Sequence, residues 1–157
     1  MASTTSNNVS ADLVWEIVRG NNSYLVKRKQ FGGVQFSRDP LNLLNKNSRK
    51  YAGFVNEKAI GVQPAEKGGV KVISKKESAA SKPAKSTTEV THSGGQNTKK
   101  IYKTVASQTA KNGYRADLRE AAVSRVSAIR KSLKEPKPTP ESKPRGAKAK
   151  KAAATES

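Results

Sequence analysis

The sequence predicts an α+β fold: a small N-terminal antiparallel sheet with one packed helix, an extended linker, two basic C-terminal helices and a disordered basic tail. Two observations support this prediction. Six of the eight aromatic residues and nearly all the β-branched runs lie in residues 1–76, which places the expected sheet and core there. Between residues 98 and 134, apolar residues instead recur at helical spacing among lysines and arginines.

The first predicted element is a short helix. Residues 1–9 are polar and predict a flexible N-terminus. Ser10 is a suitable N-cap, because its hydroxyl can accept a hydrogen bond from the first helical turn, and Gly20 ends the helix. The apolar face of this helix consists of Leu13, Val14, Ile17 and Val18.

Strands are predicted to follow the helix. Residues 23–28 and 34–36 form a hairpin, with Gly32-Gly33 as the turn signal. Pro40 opens a short turn or helix around residues 41–44. The remaining strands are predicted near residues 52–56, 59–63 and 70–75, with "EKGG" turning between the last two.

Residues 77–97 differ in composition from the predicted sheet. They contain seven Ser or Thr, Gly94-Gly95 and, besides alanine, a single apolar residue, Val90. Such a segment cannot bury enough apolar surface to fold alone. We therefore expect a linker, or a segment that becomes ordered only on a partner.

Two helices are predicted next, over about residues 98–110 and 115–134. The second has an apolar stripe at helical spacing, and Arg119 and Arg130 lie beside that stripe. This position suits either contact with a partly anionic surface or ordinary packing of the arginine stems at the edge of a core. The stripe consists of Leu118, Ala122, Val126, Ile129 and Leu133. From residue 135 to 157 no large apolar residue follows, which predicts a disordered tail rich in Lys, Ala and Pro.

The charge balance indicates a polyanionic partner. The chain has 157 residues, of which 31 are Lys or Arg and 12 are Asp or Glu, for a formal net charge of +19. This excess is larger than solubility requires, so it indicates nucleic acid or an acidic membrane face. The alternative is a basic surface that only contacts solvent.

Catalysis and metal binding have little support in the sequence. There is no cysteine and only one histidine, His92, which lies in the predicted linker. Neither a phosphate-binding loop nor a dinucleotide fingerprint occurs. We therefore predict a non-enzyme without cofactor, metal or small-molecule substrate. No apolar run approaches the roughly 20 residues of a membrane helix, and no secretory signal is evident, so we expect no membrane partner and a location in the cytosol or nucleus.

Structured RNA is a better match than a DNA operator. No helix-turn-helix or zinc-finger pattern occurs, and the cations are dispersed over the whole chain, which favours recognition of an irregular phosphate surface. Tyr51 is a candidate for stacking on an unpaired base, with a core position as the alternative. The predicted RNA-binding residues are Lys27, Arg28, Lys29, Arg49, Lys50, Tyr51, Lys75, Lys76, Lys99, Lys100, Lys103, Lys111, Arg115, Arg119, Arg125, Arg130 and Lys131.

The predicted organisation thus has five parts. They are a flexible N-terminus (1–9), a small α+β RNA-binding domain (10–76), a linker (77–97), a basic helical extension (98–134) and a disordered tail (135–157).

Three stretches resemble a known family. "LVWEIVRGNNSYLVKR", "NLLNKNSRKYAGFVNEKAIGVQPAEKGGVKVISKK" and "KNGYRADLREAAVSRVSAIRKS" are similar, in order and spacing, to the eukaryotic large-subunit ribosomal proteins of the L28e family. The resemblance covers about residues 10–135. Ala116 departs from it, because relatives have proline there, and the two ends of the chain are not covered.

The resemblance implies a structural role on the surface of the cytosolic large ribosomal subunit, bound to ribosomal RNA and to neighbouring ribosomal proteins, with incorporation in the nucleolus. It implies that Arg49 and Lys50 bind RNA phosphates and that Gly53 lets the backbone approach the RNA. Two alternatives remain. One is a nucleolar ribosome-assembly factor, and the other is a chromatin protein, because "KPRGAKAKKAAA" resembles linker-histone tails.

Overall fold

A computed structural model describes residues 9–30, 32–79, 82–140 and 145–147, together with residues 151 and 154. It has small antiparallel sheets and three α-helices, which confirms the predicted α+β class. The flexible N-terminus predicted for residues 1–9 falls almost entirely outside the described residues, as does much of the predicted disordered tail. Within the described ranges, no helix combines the length and apolar character that a membrane span requires.

Helix α1 spans Ala11–Val18 and begins as predicted. The Ser10 hydroxyl accepts a hydrogen bond from the Leu13 amide at 3.2 Å, which satisfies one of the free donors of the first turn. Trp15 is the buried residue of the helix, whereas Leu13 and Ile17 are 54% and 71% exposed. Much of the predicted apolar face of α1 therefore contacts solvent.

The predicted hairpin is present. Strands β1 (Leu25–Lys27) and β2 (Gln35–Ser37) are antiparallel, with Val26 opposite Phe36. Gly32 and Gly33 both have a φ of +79°, a conformation that glycine adopts without the strain a side chain would cause.

The strand predicted near residues 52–56 is wrong. The segment forms turns instead, because its amides pair locally: the Ala52 amide donates to the Ser48 carbonyl at 2.9 Å. The Phe54 amide donates to the Asp39 carboxylate at 3.0 Å, which holds the turn against the preceding loop. Gly53 is buried where a side chain would collide with Leu41. Its lack of a side chain therefore serves internal packing.

The larger sheet has three antiparallel strands in the order β3-β4-β5. Strands β3 (Ile60–Pro64) and β4 (Val70–Lys75) lie close to their predicted positions, joined by a turn at Glu66–Gly68. Strand β5 (Thr87–His92) was not predicted. It lies in the segment that the sequence analysis assigned to a linker. A strand at a sheet edge is held by backbone hydrogen bonds, so this polar, Thr-rich segment pairs with β4 without burying most of its side chains.

Two helices cover this sheet. Helix α2 spans Thr98–Ala110, as predicted, and α3 spans Arg119–Ser132 after 3₁₀ turns at Lys111–Gly113 and Ala116–Leu118. The sequence prediction placed the core before residue 77 alone, and this is wrong because the helices supply half of it. The core consists of Leu43, Ile60, Val62, Val70 and Val72 packed against Ile101, Val105, Leu118, Ala122, Val126 and Ile129. The domain boundaries themselves stay a prediction.

Candidate nucleic-acid interface

A groove between α2 and α3 brings together three of the predicted cations. Lys103 of α2, Lys111 just after α2 and Arg119 of α3 line the groove, whose volume is about 880 Å³, and all three residues are exposed. Lys103 projects from α2, and Lys111 caps the C-terminal end of that helix with an extended backbone, so the chain brings both lysines to the groove. Glu120 is the one acidic residue among the described residues that line it.

The floor of the α2–α3 groove is small and partly apolar. Ala106 and Ala110 of α2 line it together with Val123 and Ser124 of α3 and with Tyr102. Tyr102 also packs against the core, which connects the groove to the rest of the fold. Because small side chains form the floor, a phosphate backbone can approach the cations on both helices.

Lys99 and Lys100 extend this surface toward the N-terminus of α2, where both are exposed. The first turn contains no acidic residue, and the Asn97 side chain caps it by accepting a hydrogen bond from the Lys99 amide at 2.9 Å. The positive end of the helix dipole therefore adds to the lysine charges and favours an anion.

The β1–β2 hairpin carries a second group of cations. Lys27, Arg28 and Lys29 are exposed there, in agreement with their assignment to a surface. Arg38, which follows β2, is also exposed but was missing from the predicted set. Its position two residues after Phe36 is the signal that could have identified it, since alternate residues of a strand share a face.

Arg115 forms part of the fold. Its Nε and Nη2 atoms bind the Asp117 carboxylate at 2.8 and 2.9 Å. Nη1 donates to the Lys58 carbonyl at 2.8 Å, and Nη2 also donates to the Lys50 carbonyl at 3.0 Å. The hydrogen bonds from Arg115 lower the pKa of Asp117. Arg115 thus ties the start of α3 to the turns before β3.

Arg49 is engaged in a similar way. Its Nε donates to the Asp12 carboxylate at 2.8 Å, and its Nη1 donates to the Asn56 side chain. These contacts hold α1 against the turns before β3. Next to it, the Lys50 ammonium lies 5.5 Å from the centre of the Tyr51 ring, and Tyr51 packs against the core. The phosphate-binding role implied for Arg49 and the stacking role considered for Tyr51 stay predictions that these internal contacts disfavour.

Lys75 also makes internal hydrogen bonds. Its ammonium donates to the carbonyls of Phe54 at 3.3 Å and Asn56 at 3.0 Å. Burial lowers the pKa of Lys75, and the charge of Asp39 partly opposes this change. The adjacent Tyr114 hydroxyl donates to the Lys75 carbonyl at 2.6 Å, and burial raises the pKa of Tyr114. These groups form a polar connection between β4 and the start of α3.

Arg125 and Arg130 are half-buried on α3. Arg130 Nη2 donates to the Gly94 carbonyl at 3.2 Å, which ties α3 to the turn after β5. Its Nη1 atom and Arg125 Nε are buried without a hydrogen-bond partner among the residues that the structure describes. Both side chains therefore lie at the edge of the core, as the packing alternative for Arg130 expects.

Exposure divides the seventeen predicted residues into two groups. The half-buried group consists of Arg49, Tyr51, Lys75, Arg115, Arg125 and Arg130. The eleven exposed residues, called here the exposed cation set, are Lys27, Arg28, Lys29, Lys50, Lys76, Lys99, Lys100, Lys103, Lys111, Arg119 and Lys131. Only this second group is free to face a large anionic partner without disturbing the fold.

Comparisons with known proteins agree with the resemblance. Residues 13–132 match the model of the ribosomal L28e protein family. The chain is 42% identical over 132 residues to large ribosomal subunit protein eL28 of Schizosaccharomyces pombe, covering 83% of this chain and 97% of that protein. It is 37% identical over 131 residues to the eL28 protein of Dictyostelium discoideum, covering 82% and 92%. The Caenorhabditis elegans eL28 protein is 43% identical over 84 residues, which cover 53% of this chain and 63% of that protein.

Proposed function

The chain belongs to the ribosomal L28e protein family, and on this basis we propose that it is a structural constituent of the cytosolic large ribosomal subunit that binds and stabilises folded ribosomal RNA. The relatives that it matches are named large ribosomal subunit proteins. The role is one of holding RNA in place and so supporting translation, without catalysis. Incorporation takes place in the nucleolus, and the working location is the cytosolic ribosome.

The observation that supports RNA binding is the exposed cation set. Most of its members lie on the hairpin, on α2 and in the α2–α3 groove, and Lys50, Lys76 and Lys131 lie elsewhere, so the set covers several surfaces of the fold. A dispersed distribution of this kind suits RNA whose phosphates surround the protein in three dimensions. Neutralising many phosphates releases counterions, so the interaction should be strong at low salt and highly salt-dependent.

Neighbouring large-subunit proteins are the second class of partner that we propose. Helix α1 exposes Leu13 and Ile17, and Asp12 and Glu16 are its charged residues. Asp12 pairs with Arg49 and Glu16 pairs with Arg19, so this face of α1 combines exposed apolar residues with little net charge, which suits a protein surface better than RNA phosphates.

Binding of the full chain to purified large-subunit ribosomal RNA tests the proposed function. We expect the logarithm of the binding constant to fall linearly with the logarithm of the salt concentration, with a slope of about −5 if six or more phosphates are contacted. Duplex DNA with the same number of phosphates as the RNA is the control. The chain should bind this DNA at least about tenfold more weakly, because the regular shape of the duplex does not match a dispersed set of cations. Equal affinity for the DNA would contradict the proposal and favour the chromatin alternative.

A further inference from the structure

The β1–β2 hairpin has an exposed face with an unusual composition. Strand pairing places Val26 opposite Phe36, and the Arg28 amide donates to the Val34 carbonyl at 3.0 Å. Since alternate residues of a strand share a face, Val34 and Phe36 project on the same side. Each of these two is 41% exposed, so the hairpin presents an apolar strip to solvent.

This strip forms the floor of a groove of about 600 Å³. Val26, Val34 and Phe36 supply the apolar surface, and Arg28 and Arg38 supply two guanidinium groups. Gln30 and Asn45 add side-chain amides. The described residues that line the groove include no Asp or Glu, so the groove combines an aromatic face with positive charge only.

Among the residues that the structure describes, the other aromatic rings near the hairpin are occupied. The rings of Tyr24 and Phe54 contact each other with their centres 5.4 Å apart, and Tyr51 packs against the core. Of these described rings, Phe36 is the one that is exposed to solvent and can meet a ligand. Exposed aromatic residues on a sheet, flanked by arginines, are the arrangement on which unpaired bases of RNA stack.

We propose that the hairpin groove binds an unpaired RNA nucleotide, whose base stacks on Phe36 while Arg28 and Arg38 bind the adjacent phosphates. This inference rests on the proposed function and specifies one contact within it. A protein ligand is less favourable, because it would have to supply an acidic rim to two arginines in a chain of net charge +19. A nucleotide supplies both an apolar base and the anion.

Two substitutions of Phe36 separate stacking from simple apolar contact. Phe36→Leu keeps an apolar side chain but removes the aromatic face, whereas Phe36→Tyr keeps the aromatic face. We expect Phe36→Leu to weaken binding of the full chain to purified large-subunit RNA by about 5- to 150-fold, the usual range for one stacked base, with an unchanged salt slope. Phe36→Tyr should bind within about twofold of the wild type.

The arginines should behave differently from the ring. Replacing Arg28 and Arg38 together with glutamine should reduce the magnitude of the salt slope by about 1.4, because each phosphate contact on a single strand contributes roughly 0.7. Circular dichroism of each variant checks that the hairpin remains folded, which its surface position predicts.

Three results would overturn the inference. One is that Phe36→Leu and Phe36→Tyr bind RNA with equal affinity, and another is that Phe36→Leu changes the salt slope. The third is a Phe36→Leu protein that binds RNA normally but is lost from large subunits, which would identify a protein ligand. If the wild-type chain itself failed to bind the RNA, the proposed function would fail, so the two failures are distinguishable.

Discussion

Replacing Arg115 with alanine is expected to lower the free energy of unfolding by roughly 2–4 kcal/mol, even without RNA. The side chain is only 17% exposed and makes charge-assisted hydrogen bonds to Asp117 and to the carbonyls of Lys58 and Lys50. Its removal leaves these acceptors without their donor, and each such loss costs about 1–3 kcal/mol, less where water can replace the arginine. Thermal or denaturant unfolding measures the change.

Arg119→Ala is the matched control, because it removes the same type of residue from an exposed position nearby. Its unfolding free energy should change by less than about 0.5 kcal/mol. If Arg119→Ala were as destabilising as Arg115→Ala, the division between internal and exposed arginines would be wrong.

The pH dependence gives a second readout of the same contact. Arg115 lowers the pKa of Asp117. The contribution of this ion pair to the free energy of unfolding is therefore fully present above the ordinary Asp pKa of about 4, and it is lost as the pH falls through the lowered pKa. The stability difference between the wild type and Arg115→Ala should therefore shrink as the pH falls below about 4. A difference that stays constant there would contradict the assigned ion pair.

Neutralising the three cations of the α2–α3 groove is expected to weaken RNA binding on the order of 100-fold at 0.15 M salt. The variant is Lys103→Gln, Lys111→Gln and Arg119→Gln, and the fold should be unaffected because all three side chains are exposed. Loss of three phosphate contacts should also reduce the magnitude of the salt slope by roughly 2–3. Fluorescence anisotropy with purified large-subunit RNA measures both quantities.

A second triple variant controls for total charge. Lys82→Gln, Lys85→Gln and Lys134→Gln lowers the net charge by the same amount, and these exposed residues lie outside the α2–α3 groove. We expect this variant to bind less than about tenfold more weakly than the wild type. Equal losses for the two variants would mean that overall charge, and not the groove, determines binding.

Local sequence patterns predicted the elements whose signals are local. The bounds of α2 and the Ser10 cap of α1 agree with the structure because helical spacing and capping depend on neighbouring residues. Strand β5 was missed because a Thr-rich segment acquires its partner, β4, from elsewhere in the chain. The false strand near residues 52–56 has a similar cause, since the Asp39 carboxylate, from outside the segment, accepts a hydrogen bond from the Phe54 amide and holds the segment in a turn.

The candidate site was predictable in kind but not in detail. Net charge indicated an anionic partner, yet charge alone did not separate Arg115, which binds internal carbonyls, from Arg119, which faces solvent. Only the tertiary contacts make this distinction. Phe36 was likewise not selected, because its exposure depends on which face of the hairpin the rest of the protein covers.

Sedimentation of native ribosomes on sucrose gradients at high salt, with and without ribonuclease, tests membership of the large subunit most directly. A protein held only by surface charge loses roughly 10³- to 10⁵-fold in affinity between 50 and 200 mM salt and should dissociate. We predict that this chain instead remains stoichiometric in large subunits and translating polysomes, because the proposed stacking on Phe36 and the proposed protein contacts of α1 do not depend on salt, and that ribonuclease releases it. Presence only in nuclear pre-ribosomes, or sedimentation with chromatin that resists ribonuclease, would contradict the proposed role.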